Sequence, residues 1–312
     1  FGERKVIIIC STTGNGDAPD NCDRFWRYLK RRSHGPDVLN GMKFTILGSN
    51  GFIGKNMVDY LLELGMDVYS PDIRKEDISK KDLGHVIYAL GELNSQKNPL
   101  NVIESHVCIL NKLLQNSNFE SLLYCSATRV YSGLQSTHEN NILNLNPTDL
   151  GNLYPISKVM GESICLSFDN PKIRIARLSN VSGFNHTSNL FLPSIIREAV
   201  DKKIIKLHTK LESEKDYVHI DDVVQVLFDI VLSGKNRIYN VAKGENTTNR
   251  DIITKLQEIT SCKIEILPNA KNYSFSKINI ARLVNEFNFN PKSLLDYIED
   301  IVTSYKNFNS KN

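Results

Sequence analysis

The sequence predicts an α/β chain: a doubly wound parallel sheet with a smaller lobe after it. Three observations carry that expectation. From residue 43 onward, short apolar runs alternate with longer segments of helical periodicity, the pattern of parallel strands joined by helical crossovers. The first run, Phe44-Thr45-Ile46-Leu47, passes straight into Gly48-Ser-Asn-Gly51-Phe-Ile-Gly54 and then into a helical pattern. After about residue 180 the alternation becomes irregular, as expected of a C-terminal lobe laid over the sheet.

The elements follow in order. Lys43–Leu47 is expected to be the first strand. Ile53–Leu64 is expected to be a helix, because Ile53, Met57, Leu61 and Leu64 fall on one face. Strands are predicted at Asp67–Tyr69, His85–Ala89, Ser121–Cys125 and Ile173–Leu178, with helices at Val102–Leu114 and Pro155–Phe168. Further helices are expected near Leu192–Lys202 and Val223–Leu232, and from Pro291 to the end. The expected division is 42–180 for the sheet domain, with segments near 218–242 returning to it, and 181–312 mainly for the lobe.

The totals exclude several function classes. The chain has 312 residues, 41% of them hydrophobic, and a formal net charge of +3. Near-neutrality gives no reason to expect nucleic acid or an anionic membrane as partner, and the basic run Lys30-Arg31-Arg32 reads as a solvated helix end. The six cysteines, at 10, 22, 108, 125, 165 and 262, form no CxxC pair and no zinc-spaced cluster with histidine. They read as reduced thiols, and no metal is expected. Apolar runs such as Val6–Cys10 are too short to span a bilayer, and no charged-then-apolar leader opens the sequence. A cytoplasmic protein is the expectation.

The glycine loop has a physical purpose. The first glycine permits a tight turn, the second lets backbone approach a pyrophosphate, and the third lets helix pack on strand. The unpaired N–H groups at the helix start face the phosphates. The expected dinucleotide contacts are Gly48, Asn50, Gly51, Phe52, Ile53 and Gly54. Asp72 follows the second strand, where a carboxylate accepts bonds from the ribose hydroxyls of NAD and repels a 2′-phosphate. Arg74, two residues on, would instead welcome that phosphate. NAD is expected, with NADP the less favoured cofactor.

Tyr154-Pro-Ile-Ser-Lys158 is the second constellation. Residues four apart at a helix start share a face, so the Lys158 ammonium is expected to lower the Tyr154 pKa and fit it as general base.

Together with Asp77-Ile78 and Arg129-Val130-Tyr131, these stretches resemble the extended short-chain dehydrogenase/reductases, and within them the NAD-dependent nucleotide-sugar epimerase/dehydratase branch. Arg177-Leu-Ser-Asn-Val-Ser-Gly183, Lys215-Asp-Tyr-Val-His-Ile-Asp-Asp222 and Tyr239-Asn-Val-Ala242 are similar to later segments of that branch, so the likeness runs from about 42 to 300. It implies a Rossmann-type sheet and hydride exchange with NAD at a sugar carbinol, with a nucleotide-sugar held by the lobe. It also implies that Asp77 and Ile78 lie near adenine, that Ala89 and Gly91 line the cofactor, and that Asn180, Lys215 and Tyr217 face the substrate. Asn180 and Tyr217 have an equal claim as residues that satisfy loop backbone. A homodimer paired through Val102–Leu114 and Pro155–Phe168 is a further implication.

Departures from that pattern bear on the reaction. The family's catalytic hydroxyl falls on Ala127, flanked by Ser126 and Thr128. Successive strand residues point to opposite faces, so a local bulge presenting Thr128 is the expected substitute. Loss of a positioned donor of this kind costs about 10²–10³ in rate, which leaves a weak or silent NAD-binding regulator as the alternative to an enzyme. The acid pair that relatives use for dehydration is replaced by Thr128 and Arg129. Epimerisation and simple oxidoreduction therefore remain open. Ser132 and Ser182 replace usual residues, and His106, standing where Asn is common, is expected to be a helix-packing or hydrogen-bonding residue rather than a base.

Residues 1–41 stand apart. Cys10-Ser-Thr-Thr-Gly-Asn-Gly-Asp17 and the helical pattern to Arg32 resemble the second flavin loop of the flavodoxin-like FMN domain in diflavin reductases. The phosphate loop of such a site is missing, and one strand with one helix cannot bury a core. The segment is expected to be a flavodoxin-like fragment or fused leader, docked through Phe25 and Trp26, and not a working flavin module.

Overall fold

The computed structural model describes residues 41–92 and 97–310. The expectations for 1–40, including the flavodoxin-like fragment and its docking through Phe25 and Trp26, lie outside the described residues.

β1 (Lys43–Leu47) is buried from Phe44 onward and leads through the glycine turn into α1 (Phe52–Glu63), which buries Gly54, Met57 and Leu61. β2 (Asp67–Tyr69) is a short edge strand, and β3 (His85–Tyr88) is buried throughout. A helical stretch follows in three pieces: α2 (Pro99–Ile103), a π-helical turn at Glu104–Cys108, and α3 (Ile109–Asn116). β4 (Ser121–Ala127) is buried at every position and passes into a 3₁₀ turn at Thr128–Tyr131. A second 3₁₀ turn at Leu150–Asn152 opens α4 (Leu153–Ser167), and β5 (Ile173–Leu178) is again wholly buried. Strands buried along their whole length are what a sheet covered on both faces requires.

The remaining elements are β6 (Asn180–Ser182), α5 (Phe191–Arg197), β7 (Ile204–Thr209), β8 (Glu214–His219), α6 (Ile220–Ser233), β9 (Ile238–Val241), β10 (Asn246–Thr248), α7 (Asn249–Thr260), β11 (Lys263–Lys271), α8 (Ala281–Phe287) and α9 (Leu294–Asn309). The central sheet has the order β2-β1-β3-β4-β5-β9, and every neighbouring pair is parallel. β1 thus lies between strands that follow it in opposite directions, which opens a crevice at its C-terminal end. Leu47, Tyr88, Leu110, Leu122, Tyr124 and Ile175 share one apolar cluster beneath it. A second cluster, including Leu192, Ile205, Leu207, Ile252, Ile298 and Ile301, belongs to the lobe.

Three expectations are corrected. The helix expected over 102–114 is interrupted by the π turn. β4 keeps regular register with β5 as far as Ala127, paired with Leu178, so no bulge presents Thr128; the chain instead leaves the ladder there and coils. The lobe, expected as loops and helices, contains a sheet β10-β8-β6 and a pair β11-β7. Among the described residues, no helix is long and apolar enough to cross a membrane.

Candidate active site

Gly48 sits at the end of β1 with φ +91°, and a Cβ there would lie 2.7 Å from the Ala89 carbonyl carbon and oxygen. The Gly51 N–H donates to the Gly48 carbonyl at 2.9 Å, closing the turn. A Cβ on Gly54 would lie 2.2 Å from that same carbonyl oxygen. Two of the three glycines are therefore demanded by backbone approach alone. No side chain caps the start of α1, so its first N–H groups remain available to an anion. A Cβ on Gly183, just past β6, would meet Phe52 Cζ at 3.3 Å, which brings the lobe against the first residue of α1.

Asp72 is exposed beyond β2. It accepts the Arg74 N–H at 3.2 Å and pairs with Lys75 Nζ at 3.2 Å. The bond from Lys75, then that from Arg74, holds its carboxyl below the ordinary range. Asp77 spends its carboxylate on the N–H and hydroxyl of Ser79, so it shapes its own turn. Ile78 packs against the sheet cluster.

Tyr154 and Lys158 lie on the first turns of α4, 9% and 4% exposed. Lys158 Nζ donates to the Cys125 carbonyl of β4 at 2.8 Å and stands 6.0 Å from the centre of the Tyr154 ring. Burial lowers the lysine to about 8. Burial likewise pushes the Tyr154 phenol up to about 12, and the cation that opposes this is Arg129. The Lys158 ammonium is anchored on the strand carbonyl, and the Arg129 guanidinium carbon stands 5.9 Å from the Tyr154 ring centre.

His106, on the π turn, is fully buried with its ring edge-on to Tyr154 at 5.4 Å. Tyr88 and Tyr124 donate to the carbonyls of Ser105 and His106, groups that the widened turn frees from the helix ladder. The Ser157 hydroxyl spends its proton on the Tyr154 carbonyl at 2.7 Å. The 2.8 Å contact between Ser157 Oγ and His106 Nδ1 must then have Nδ1 as donor. Nε2 is left as a buried lone pair without a partner. A Cβ on Gly91 would lie 3.2 Å from Nε2 and 3.8 Å from Lys158 Nζ. The segment 89–91 therefore abuts the glycine turn at one end and the Lys158–His106 pair at the other. The expected packing or hydrogen-bonding role of His106 matches its burial and its contact with Ser157; the helix break that aims its ring inward has no local signature.

The other predicted residues divide. Thr128 is half-buried at the head of its 3₁₀ turn. Ser126 is committed elsewhere, donating to Glu162 at 2.5 Å within the buried Glu162–Arg177 ion pair, whose N···O distance is 2.6 Å. Asn180 is exposed and donates to the Asp216 carbonyl at 2.8 Å. Lys215 is half-buried with Nζ 5.2 Å from the Phe191 ring centre. Tyr217, expected at the substrate, belongs to the lobe's apolar cluster, 4% exposed and with its hydroxyl unpartnered.

A family model described as NAD dependent epimerase/dehydratase matches residues 44–242. The dTDP-D-glucose 4,6-dehydratase of Dictyostelium discoideum is 27% identical over 282 residues, covering 72% of this chain and 63% of that protein. NADPH-dependent diflavin oxidoreductase 1 of Danio rerio is 36% identical over 91 residues, covering 27% of this chain and 15% of that protein. The chain thus spans under two thirds of the length of either. UDP-glucuronic acid 4-epimerase from Bacillus cereus, solved with UDP-glucuronic acid and NAD, has the same fold: TM-score 0.71 at 18% identity, covering 86% of this chain and 100% of that one.

Proposed function

The chain belongs to the NAD dependent epimerase/dehydratase family, and from that premise we propose that it is an NAD-dependent nucleotide-sugar epimerase or sugar oxidoreductase. The observation that carries the reading is the shared wall at 89–91, with the glycine turn against Ala89 and Lys158 with His106 against Gly91. The residues fit a dinucleotide: an uncapped helix start for its phosphates, a glycine lining, and a buried unpartnered acceptor at His106 Nε2. Bound there, NAD would supply the hydride acceptor.

The protein's own residues then have distinct tasks. Gly48, Gly51 and Gly54 hold the phosphates, and Asp72 selects ribose hydroxyls over a 2′-phosphate. Tyr154 takes the proton of a sugar carbinol. Its phenol sits in a buried site that disfavours the phenolate, so base action near neutral pH requires added positive charge. Arg129 supplies part of it, and Lys158, still protonated below about pH 8, stands ready beside it. Thr128 offers a hydroxyl from the turn just past β4, and Asn180 and Lys215 offer polar contacts from the lobe. With Thr128 and Arg129 where an acid pair would serve elimination, the chemistry stops at carbinol oxidation and return of hydride.

A second reading is favoured by one observation: Ala127 ends β4 without a hydroxyl, and Ser126 is locked to Glu162. On that reading the chain binds NAD but turns over weakly or not at all. Incubation with NAD and a panel of UDP-, GDP- and dTDP-sugars, read by NMR, separates the two. New epimer or ketose signals support the enzyme; a silent panel with intact NAD binding supports the regulator.

A further inference from the structure

Among the described residues, Arg129 and Lys215 are two cations near the candidate site that pair with no carboxylate. Arg129 is exposed on the 3₁₀ turn that follows β4, its guanidinium carbon 5.9 Å from the Tyr154 ring centre. Lys215, on β8, is half-buried with its Nζ over the Phe191 ring. The Arg129 side chain lies against the Tyr154 ring and that of Lys215 against the Phe191 ring. The lysine's affinity for its proton is reduced by burial first and by Arg129 second, so the two charges act on one another. Like charges held together in a partly dry site, next to the residue expected to meet substrate, are stabilised when an anion enters between them.

Resting on the function proposed above, we propose that Arg129 selects a substrate whose sugar carries a carboxylate on the carbon next to the one oxidised, a hexuronate-type nucleotide-sugar. Carbons that neighbour one another in a ring place such a group within a few bonds of the hydroxyl that Tyr154 deprotonates. A guanidinium beside the Tyr154 ring is therefore in reach of it. Arg suits the task because its planar fork holds a carboxylate through two parallel hydrogen bonds. A diphosphate would satisfy the same charge, and the experiment separates the two sources.

The test is calorimetric titration of the NAD-loaded protein with UDP-glucuronate, UDP-glucose and UDP, in wild type and in Arg129→Gln and Arg129→Lys. The expected result is uronate binding at least about tenfold tighter than the neutral hexose, the order of one charged hydrogen-bonded contact. Arg129→Gln should collapse that ratio toward unity, and Arg129→Lys should restore part of it. Equal affinities for the two sugars in wild type would overturn the inference and leave the nucleotide-sugar reading standing. A loss in Arg129→Gln shared equally by both sugars and by UDP would assign Arg129 to the diphosphate, and overturns it too. If none of the three ligands binds while NAD does, the nucleotide-sugar reading fails along with it.

Discussion

Tyr154 and Lys158 were legible in the sequence because four-residue spacing at a helix start fixes a shared face whatever surrounds it. Their electrostatics were not, because burial and a cation from a distant turn decide them. The phenol is pushed up by desolvation and eased by Arg129, a residue 25 positions away from Tyr154 in a separate element. His106 shows the same limit. Its burial, and then the Lys158 charge, lower its pKa to about 3 from 6.5, so the native ring stays neutral while an unfolded one protonates below pH 6.5. The unfolded state then binds more protons, and stability is lost as pH falls through that window. At pH 5 the cost is about 2 kcal/mol, from 1.36 kcal/mol per pH unit. Urea unfolding should show wild type losing more stability between pH 7 and pH 5 than His106→Asn does. Parallel curves for the two would contradict the buried neutral ring.

At the scale of elements, the glycine turn and α1 were readable because every requirement is local: an apolar strand, glycines at set offsets, an amphipathic helix. The three glycines nevertheless separate by task. Gly54→Ala drives a Cβ into the Gly48 carbonyl at 2.2 Å, backbone against backbone, and should destabilise by about 1–3 kcal/mol. Gly51→Ala meets only that carbonyl, at 3.3 Å, and should melt close to wild type while losing NAD affinity. Thermal unfolding paired with NAD titration checks both, and a Gly54→Ala protein as stable as wild type would contradict the packing. The π turn at Glu104–Cys108 was not readable. It persists because Tyr88 and Tyr124, from β3 and β4, satisfy the carbonyls it frees, and a helical periodicity cannot report partners on other strands. The 3₁₀ turn at Thr128 escaped for the same reason: the strand pattern continues in sequence after the ladder has ended.

At the scale of the whole molecule, strand–helix alternation sufficed to foresee the parallel sheet, because right-handed crossovers leave few ways to arrange it. The lobe's small sheets were missed. β7 buries only Ile205 and Leu207 between exposed lysine and histidine, too short a pattern to stand out from loop, and β6, β8 and β10 pair across long stretches of chain. The crevice that this topology creates should make the fold's stability answer to its ligand. NAD at a hundred times its dissociation constant should add about 2.7 kcal/mol, and the same concentration of NADP should add less because Asp72 repels its phosphate. Calorimetric melting with each dinucleotide measures this, and a larger rise with NADP would reverse the assignment of Asp72.

The central claim is that Tyr154 removes the carbinol proton as hydride leaves the same carbon for NAD held over the glycine turn. Its most direct measurement is rapid mixing of NAD-loaded protein with a nucleotide-sugar that it binds, following the absorbance of reduced nicotinamide in wild type and in Tyr154→Phe. A transient of reduced cofactor in wild type, slowed about 10²–10⁴-fold in Tyr154→Phe with sugar binding retained, is the predicted result. A transient of equal rate in both proteins would contradict the claim.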